Sequence, residues 1–251
     1  MNYKKYTLYG QENPRLVKEL EENGFVHDDN NPEYVFSLGG DGTMLGAVHK
    51  YMDKDNVKFV GINYGKLGFY TDFVKDEVSV AEVINSAAYT TEEFRLIELR
   101  VNDKRYYALN EIVVMNPMHT QNINILVDGM MLEVFRGTGI VLSTPSGSTA
   151  YNKSLGGSIL APSIEGYQLT EIASINNRIY KTLSSSLVLS KKNIVMLEFD
   201  ETDGLIIQVD GQQVNEDGYK KVEIKLSNKN IKLITKAETG FLERVRKSFL
   251  E

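Results

Sequence analysis

An aspartate stands in the middle of a glycine loop. Phe36 to Gly46 reads FSLGGDGTMLG, where the apolar run Val35 to Leu38 feeds Gly39-Gly40, Asp41 and Gly42, then Thr43-Met44-Leu45. Glycine-rich backbone approaches a phosphate closely, because amides without side chains form an anion nest. A helix N-terminus after a strand adds a positive dipole end. A carboxylate at that spot repels a phosphate, so Asp41 needs a reason. Either it caps the helix after a tight strand-to-helix turn, or it works beside a phosphate in transfer, as a general base or a Mg2+ ligand. Gly40, Gly42 and Gly46 are spaced GxGxxxG, which is not the dinucleotide GxGxxG, and no Walker lysine follows.

A second polar stretch, Ser143 to Gly157, reads STPSGSTAYNKSLGG. Pro145 and Gly147 fix a loop that opens a short helix near Ser148 or Thr149, and Gly156-Gly157 stop it. Thr144, Ser146, Ser148 and Thr149 supply more hydroxyls than one cap requires. They are either redundant caps or a surface that hydrogen-bonds a sugar or base, with the Tyr151 ring available for packing. Asn110-Glu111 interrupts the apolar strand Tyr106 to Met115, and an exposed polar pair would explain it equally well. His27, His49 and His119 are scattered, without the spacing of a metal site or a triad. Asp210 precedes a glycine, so a hairpin turn accounts for it. Lys191-Lys192 and Arg244 to Lys247 read as solvated faces.

The elements that position these residues change character along the chain. Tyr6 to Tyr9, Val35 to Leu38 and Phe59 to Asn63 read as strands. They alternate with helices at Asn13 to Asn23, entered by Pro14 and left by Gly24, and at Thr43 to Tyr51, which predicts a parallel sheet. From Phe94 the chain turns to short strands and hairpins. Leu96 to Val101 and Tyr106 to Met115 are joined through Asn102-Asp103. Ile123 to Val127 and Met130 to Phe135 are joined through Asp128-Gly129, which suits a type I′ turn. Leu205 to Val209, Val222 to Leu226 and Ile231 to Thr235 follow. Phe241 to Leu250 is a basic amphipathic helix with Phe241, Val245 and Phe249 on one core-facing stripe.

At 251 residues the chain suggests one large domain or two small ones, with roughly 70–75% of its unfolded surface buried. A net charge of -6 gives no footprint for nucleic acid or an anionic membrane. Anionic substrates therefore need local charge or a metal. The absence of cysteine excludes disulfides and thiolate metal sites. With no signal-like apolar run at MNYKKYTLYG and no 18-residue apolar stretch, a cytosolic, soluble protein is expected.

Taken together, GGDGT (Gly39 to Thr43), Asn110-Glu111 and TPSGSTAYNKSLGG (Thr144 to Gly157) resemble the bacterial NAD kinase family. NYGKLGFYTDF (Asn63 to Phe73) is similar to it as well. GGDGT alone is shared with lipid and sphingosine kinases, whereas the Thr144 to Gly157 block is specific. The resemblance implies transfer of the ATP γ-phosphoryl group to the 2′-hydroxyl of the adenosine ribose of NAD, giving NADP, with Mg2+ or another divalent cation and with polyphosphate as a possible replacement for ATP. It implies a Rossmann-like α/β domain (1–95), a mostly antiparallel β-rich NAD-binding domain (96–237) and a C-terminal helix (238–251) returning to the first domain. NAD would lie between the domains of a homodimer or homotetramer.

Carried over residue by residue, Asp41 is the catalytic acid/base and Gly42 lies against the dinucleotide. Phe69 and Tyr70 line the pocket. Asn110, Glu111, Ser146 and the run Thr149, Ala150, Tyr151, Asn152, Lys153, Ser154 contact NAD, and Arg136, Thr138, Ala173, Asp210 and Gln212 join them. No protein metal-ligand set is implied. One departure stands out: the family's RGDG is here Arg136-Gly137-Thr138-Gly139, so an acid expected at NAD is replaced by a hydroxyl. A lipid or sphingoid kinase sharing the GGDGT loop, or a non-catalytic dinucleotide-binding module, are the alternatives.

Overall fold

A computed structural model describes residues 3–65, 68–75, 79–236 and 240–251. Lys66 and Leu67 of the Asn63 to Phe73 stretch, and the expected domain boundary at residues 237–238, lie outside the described residues. The chain divides into two compact units, residues 1–94 with 230–251, and residues 95–229.

The first unit alternates strand and helix: β1 (Lys4–Gly10), α1 (Pro14–Glu22), β2 (Phe25–His27), β3 (Tyr34–Leu38), α2 (Asp41–Tyr51), β4 (Lys58–Asn63), β5 (Phe73–Val74) and α3 (Val80–Asn85). The pairs β1–β2, β1–β3, β3–β4 and β4–β5 are all parallel. Strands buried on both faces explain why β3 is fully apolar but for Ser37. α1 follows its local signals. Asn13 accepts a hydrogen bond from the Leu16 amide at 3.0 Å, Pro14 opens the first turn, and Leu16 and Leu20 bury one face. Gly24, just past the end, takes a left-handed conformation at φ 83°.

The second unit holds most of β6 (Thr90–Val101), then β7 (Lys104–Ala108), β8 (Glu111–Met115), β9 (Gln121–Val127), β10 (Met130–Gly137) and β11 (Gly139–Ser143). A 3-10 turn (Ser146–Thr149) and α4 (Tyr151–Ser154) lead to β12 (Gly166–Ile172), β13 (Leu187–Ser190), β14 (Ile194–Phe199), β15 (Ile206–Val209), β16 (Gln212–Gln213) and the first part of β17 (Lys221–Thr235). One antiparallel sheet runs β13-β12-β11-β8-β15-β16; β10, β9, β14 and β17 pair antiparallel in another. A single core draws on both, including Ile112, Val114, Ile125, Ile140, Leu142 and Leu197. Val113 and Val141, one residue out of phase, pack with Ile172 and the partly buried Leu155 on the opposite face. The hairpin at Asp128-Gly129 has positive φ at both residues (51° and 80°), as a type I′ turn requires.

The last part of β17 returns to the first unit beside β4, in parallel, and α5 (Phe241–Phe249) belongs to the same unit. None of the described helices is long and apolar enough to cross a membrane.

Three sequence expectations need correction. Tyr106 to Met115 is not one strand: it breaks after Ala108, so β7 pairs β6 while β8 joins β11 and β15 in the other sheet. α2 begins at Asp41, not Thr43, with Gly40 as a cap that offers no side-chain bond. On α5 the buried residue is Arg244, which is only 2% exposed, while Phe241, Val245 and Phe249 are half-buried. Two carboxylates satisfy that arginine, so it is not on a solvated face.

Candidate active site

Asp41 occupies the first position of α2, directly after β3 and the Gly39-Gly40 turn. Its carboxylate does not cap that helix. Oδ2 accepts the Phe69 amide at 2.9 Å and Oδ1 the Tyr70 amide at 3.0 Å. A Cβ on residue 68 would collide with the Asp41 carboxylate, so the close approach depends on Gly68. The two charge-assisted bonds fix the carboxylate's direction and leave further lone pairs on both oxygens. Tyr70 is buried with its ring edge-on to Phe94 at 5.8 Å; Phe69 is half-buried and Gly42 is exposed.

In the second unit the break between β7 and β8 forms the centre of another cluster. Asp210, with φ 49°, accepts the amides of Leu109, Asn110 and Glu111 at 2.7, 2.8 and 3.1 Å. A hairpin turn therefore does not exhaust its role. From the other side, Thr144 Oγ1 donates to the Leu109 carbonyl at 2.6 Å and Ser146 Oγ to the same oxygen at 3.2 Å. Gly147 lies flat on the Asn110 backbone, where any Cβ would clash. The turn is thus held by carboxylate on its donors and by hydroxyls on its acceptors. Asn110 and Glu111 are buried, at 7% and 8% exposure, so they are not an exposed polar pair.

Alternation along β8 puts Glu111 on the face of Val113, opposite the main core. Its Oε2 is buried and has no hydrogen-bond partner among the described residues. Burial, and secondarily the charge of Asp210, push the Glu111 carboxyl up to about 8. At neutral pH it is largely protonated and can donate a hydrogen bond as well as accept one.

The surplus hydroxyls of the Ser143 to Gly157 block are mostly spent inside. Ser148 donates to the Pro145 carbonyl at 2.6 Å, and Thr149 to that of Ser146 at 3.2 Å. Asn152 is fully buried; its Oδ1 accepts from Thr170 at 2.7 Å and its amide points to the Ser148 and Ser158 carbonyls. Tyr151, Lys153 and Ser154 are exposed, and Ala150 is half-buried.

Arg136, Thr138 and Ala173 form a further group at the ends of β10 and β12. The Arg136 guanidinium stacks 4.5 Å over the Tyr180 ring and also donates to its hydroxyl at 2.8 Å. The Thr138 amide donates to the Ile172 carbonyl at 3.0 Å, and Ala173 follows with φ 46°. Gln212 is exposed on β16. Sequence reasoning missed Tyr180 as the partner of Arg136. It also missed the set Asp72, Glu92 and Arg244. An arginine one residue from Val245 and three from Phe241, within an apolar stripe, was the available signal for the latter.

Among the described residues, no group of three or more His, Asp or Glu side chains is gathered to hold a metal ion.

The ATP-NAD kinase N-terminal domain matches residues 4–92, and the ATP-NAD kinase C-terminal domain residues 109–236. An NAD kinase of Streptococcus pneumoniae (strain 70585) is 38% identical over 243 residues, covering 94% of this chain and 89% of that protein. An NAD kinase of Latilactobacillus sakei is 36% identical over 244 residues, covering 94% and 91%. Among solved structures, yeast NADH kinase complexed with NADH superposes with a TM-score of 0.81 at 20% identity, covering 99% of this chain and 87% of that one. An NAD kinase from Archaeoglobus fulgidus in complex with ATP gives 0.77 at 23% identity, covering 97% and 99%. These two structures share the fold, and the two curated relatives and both domain matches carry the assignment. Neither a lipid kinase nor a non-catalytic module is favoured by them. An acid set in a glycine turn, a strand break locked by Asp210 and matches running through both halves lead to one conclusion: the chain belongs to the NAD kinase family, whose members phosphorylate NAD to NADP.

Proposed function

We propose that this enzyme transfers the γ-phosphoryl group of ATP to the 2′-hydroxyl of the adenosine ribose of NAD, with Asp41 as the acid/base that receives the hydroxyl's proton. The observation that carries this is the Asp41 carboxylate itself, aimed by the Phe69 and Tyr70 amides and still able to accept another hydrogen. In phosphoryl transfer the protein chiefly positions groups and offsets charge. The glycine amides beside Asp41 suit the donor phosphates, while the carboxylate recruits the nucleophile.

Asn110 and Glu111 hold the dinucleotide, Glu111 as a neutral acid that can donate to a ligand oxygen. Gly42, Phe69, Tyr70, Ser146, Thr149, Ala150, Tyr151, Lys153 and Ser154 contribute further contacts, with Arg136, Thr138, Ala173 and Gln212 at the margin. Asn152 and Asp210 act mainly by shaping the loops around them, since their side chains are engaged with the protein.

A divalent cation, Mg2+ by its oxygen chemistry, fits as a passenger on the phosphates. Phosphate oxygens and water are a sufficient hard donor set, so Asp41 stays free to act as the base. When bound, the cation would neutralise phosphate charge. The enzyme acts in the cytoplasm as a homodimer or homotetramer, a reading supported by family resemblance. A coupled assay of NADP formation, run with ATP and then with polyphosphate, tests the activity and its donor. No NADP with either donor would overturn the proposal, and light scattering that gave a 28.3 kDa monomer with full activity would overturn the assembly.

A further inference from the structure

The C-terminal helix meets the segment that holds Asp41 at two points. Arg244 Nη1 donates to both oxygens of Asp72, at 3.0 and 3.2 Å, and Nη2 to both oxygens of Glu92, at 2.8 and 2.9 Å. One turn and a half later, the Phe249 ring lies 5.5 Å from that of Phe69, tilted by 33°. Phe69 supplies one of the amides on Asp41, and Asp72 stands two residues after Tyr70, which supplies the other. Asp72 also accepts the Lys236 amide at 3.2 Å, so the acid is tied to the residue just after β17 as well as to α5.

Apolar residues of the same volume would pack the helix down at least as well as a buried ion set. What they would lack is direction. A guanidinium held by two carboxylates in forked geometry fixes where each carboxylate sits, and Arg is not replaceable by Lys at such a site. Burial drives the Asp72 carboxyl up, and the adjacent Arg244 charge and hydrogen bonds oppose this.

We propose that Arg244 is a positioning residue for phosphoryl transfer: by fixing Asp72 it sets the segment 68–72, whose Phe69 and Tyr70 amides hold the Asp41 carboxylate in one orientation. The inference rests on the catalytic role assigned to Asp41 above. A displacement of about 1 Å at a reacting group costs up to about 10²-fold in rate. Arg244→Lys keeps the charge but cannot bind both carboxylates bidentately, and it is expected to lower kcat about 10–100-fold while the KM for NAD moves by less than about threefold. Phe249→Ala, at the second contact, is expected to lower kcat by a smaller factor in the same pattern.

The deciding measurement is a cycle with Asp41→Asn. If Arg244 acts through the amides on Asp41, Arg244→Lys should change kcat by less than about twofold in the Asp41→Asn background. A wild-type kcat for Arg244→Lys, or the same fold-loss in both backgrounds, overturns the inference while leaving a slow Asp41→Asn enzyme, and hence the Asp41 assignment, intact. Near-wild-type kcat for Asp41→Asn overturns both. Should Arg244→Lys not fold, Phe249→Ala run through the same cycle decides the matter: non-additive loss supports the inference and additive or absent loss refutes it.

Discussion

Replacing Asp41 with asparagine changes two quantities that the structure separates. Asparagine keeps the shape, but only its Oδ1 can accept an amide. Its Nδ2 must face the other donor, so one of the bonds at 2.9 and 3.0 Å becomes an N–H against an N–H. A hydrogen bond to a charged group contributes about 1.5–3 kcal/mol. For a chain of this length that is a Tm lower by about 3–12 °C. A capping role alone predicts no such change, because Asn and Asp cap about equally well and Gly40, not Asp41, is the cap. The second quantity is the rate. A positioned general base contributes about 10²–10⁴-fold, or roughly 2.7–5.5 kcal/mol of barrier. NAD should still bind, since the proposal gives its holding to Asn110 and Glu111 rather than to Asp41, and ATP affinity is expected to rise when a negative charge beside the triphosphate is removed. The assay is kcat, NAD Kd by calorimetry and Tm on one preparation. A lowered Tm with near-wild-type kcat would refute the base role and leave Asp41 as a holder of the 68–70 segment.

Three further outcomes are expected. Thr138→Asp restores the acid missing from RGTG and should tighten NAD, or shift the NAD/NADH preference, by up to the 1.5–3 kcal/mol of about one charge-assisted hydrogen bond; a large fall in kcat at unchanged KM would show the residue is misplaced. Glu111, raised in the folded state from 4.5 to about 8, binds its proton more tightly folded than unfolded. Native stability from this group is therefore greatest below about pH 4.5 and is lost as pH climbs to about 8, by at most about 1.4 kcal/mol per unit. Glu111→Gln should raise Tm at pH 9 and give a gain that shrinks toward pH 5, and a Tm difference constant across that range would contradict the assignment. Asp210→Ala strands three amides at once, so a loss of at least about 3 kcal/mol is expected with weaker NAD binding; an unchanged Tm would mean the turn holds itself.

Features set by near neighbours were legible in the sequence. α1 is announced by Asn13, Pro14 and Gly24, and the β9–β10 hairpin by Asp128-Gly129, because caps and turns depend on a few adjacent dihedrals. The parallel sheet of the first unit followed from alternating strand and helix. What was not legible came from partners far along the chain. Asn110-Glu111 interrupts the apolar pattern beside Leu109 but does not say that the chain bends there; the bend is held by Asp210, about 100 residues on. Nothing near Arg244 says it is buried, since Asp72 and Glu92 lie 172 and 152 residues away. The motif blocks did not say how each side chain is used. Thr144 and Ser146 turned out to hold a backbone turn, and Asn152 to face inward.

The Asp210 carboxylate also imposes a timetable. Its contacts with residues 109–111 span 101, 100 and 99 positions of sequence. On a ribosome adding about 5–20 residues per second, the three amides wait about 5–20 s for their acceptor. Until then the bend between β7 and β8 has only the Thr144 and Ser146 hydroxyls on its carbonyl side and β11 beside β8, with no carboxylate on its three amides. The second unit therefore cannot settle its two sheets until β15 and Asp210 have been made. Chains truncated before residue 210 should show fast hydrogen exchange at the Asn110 and Glu111 amides, and protection in such chains would mean the bend forms without its staple.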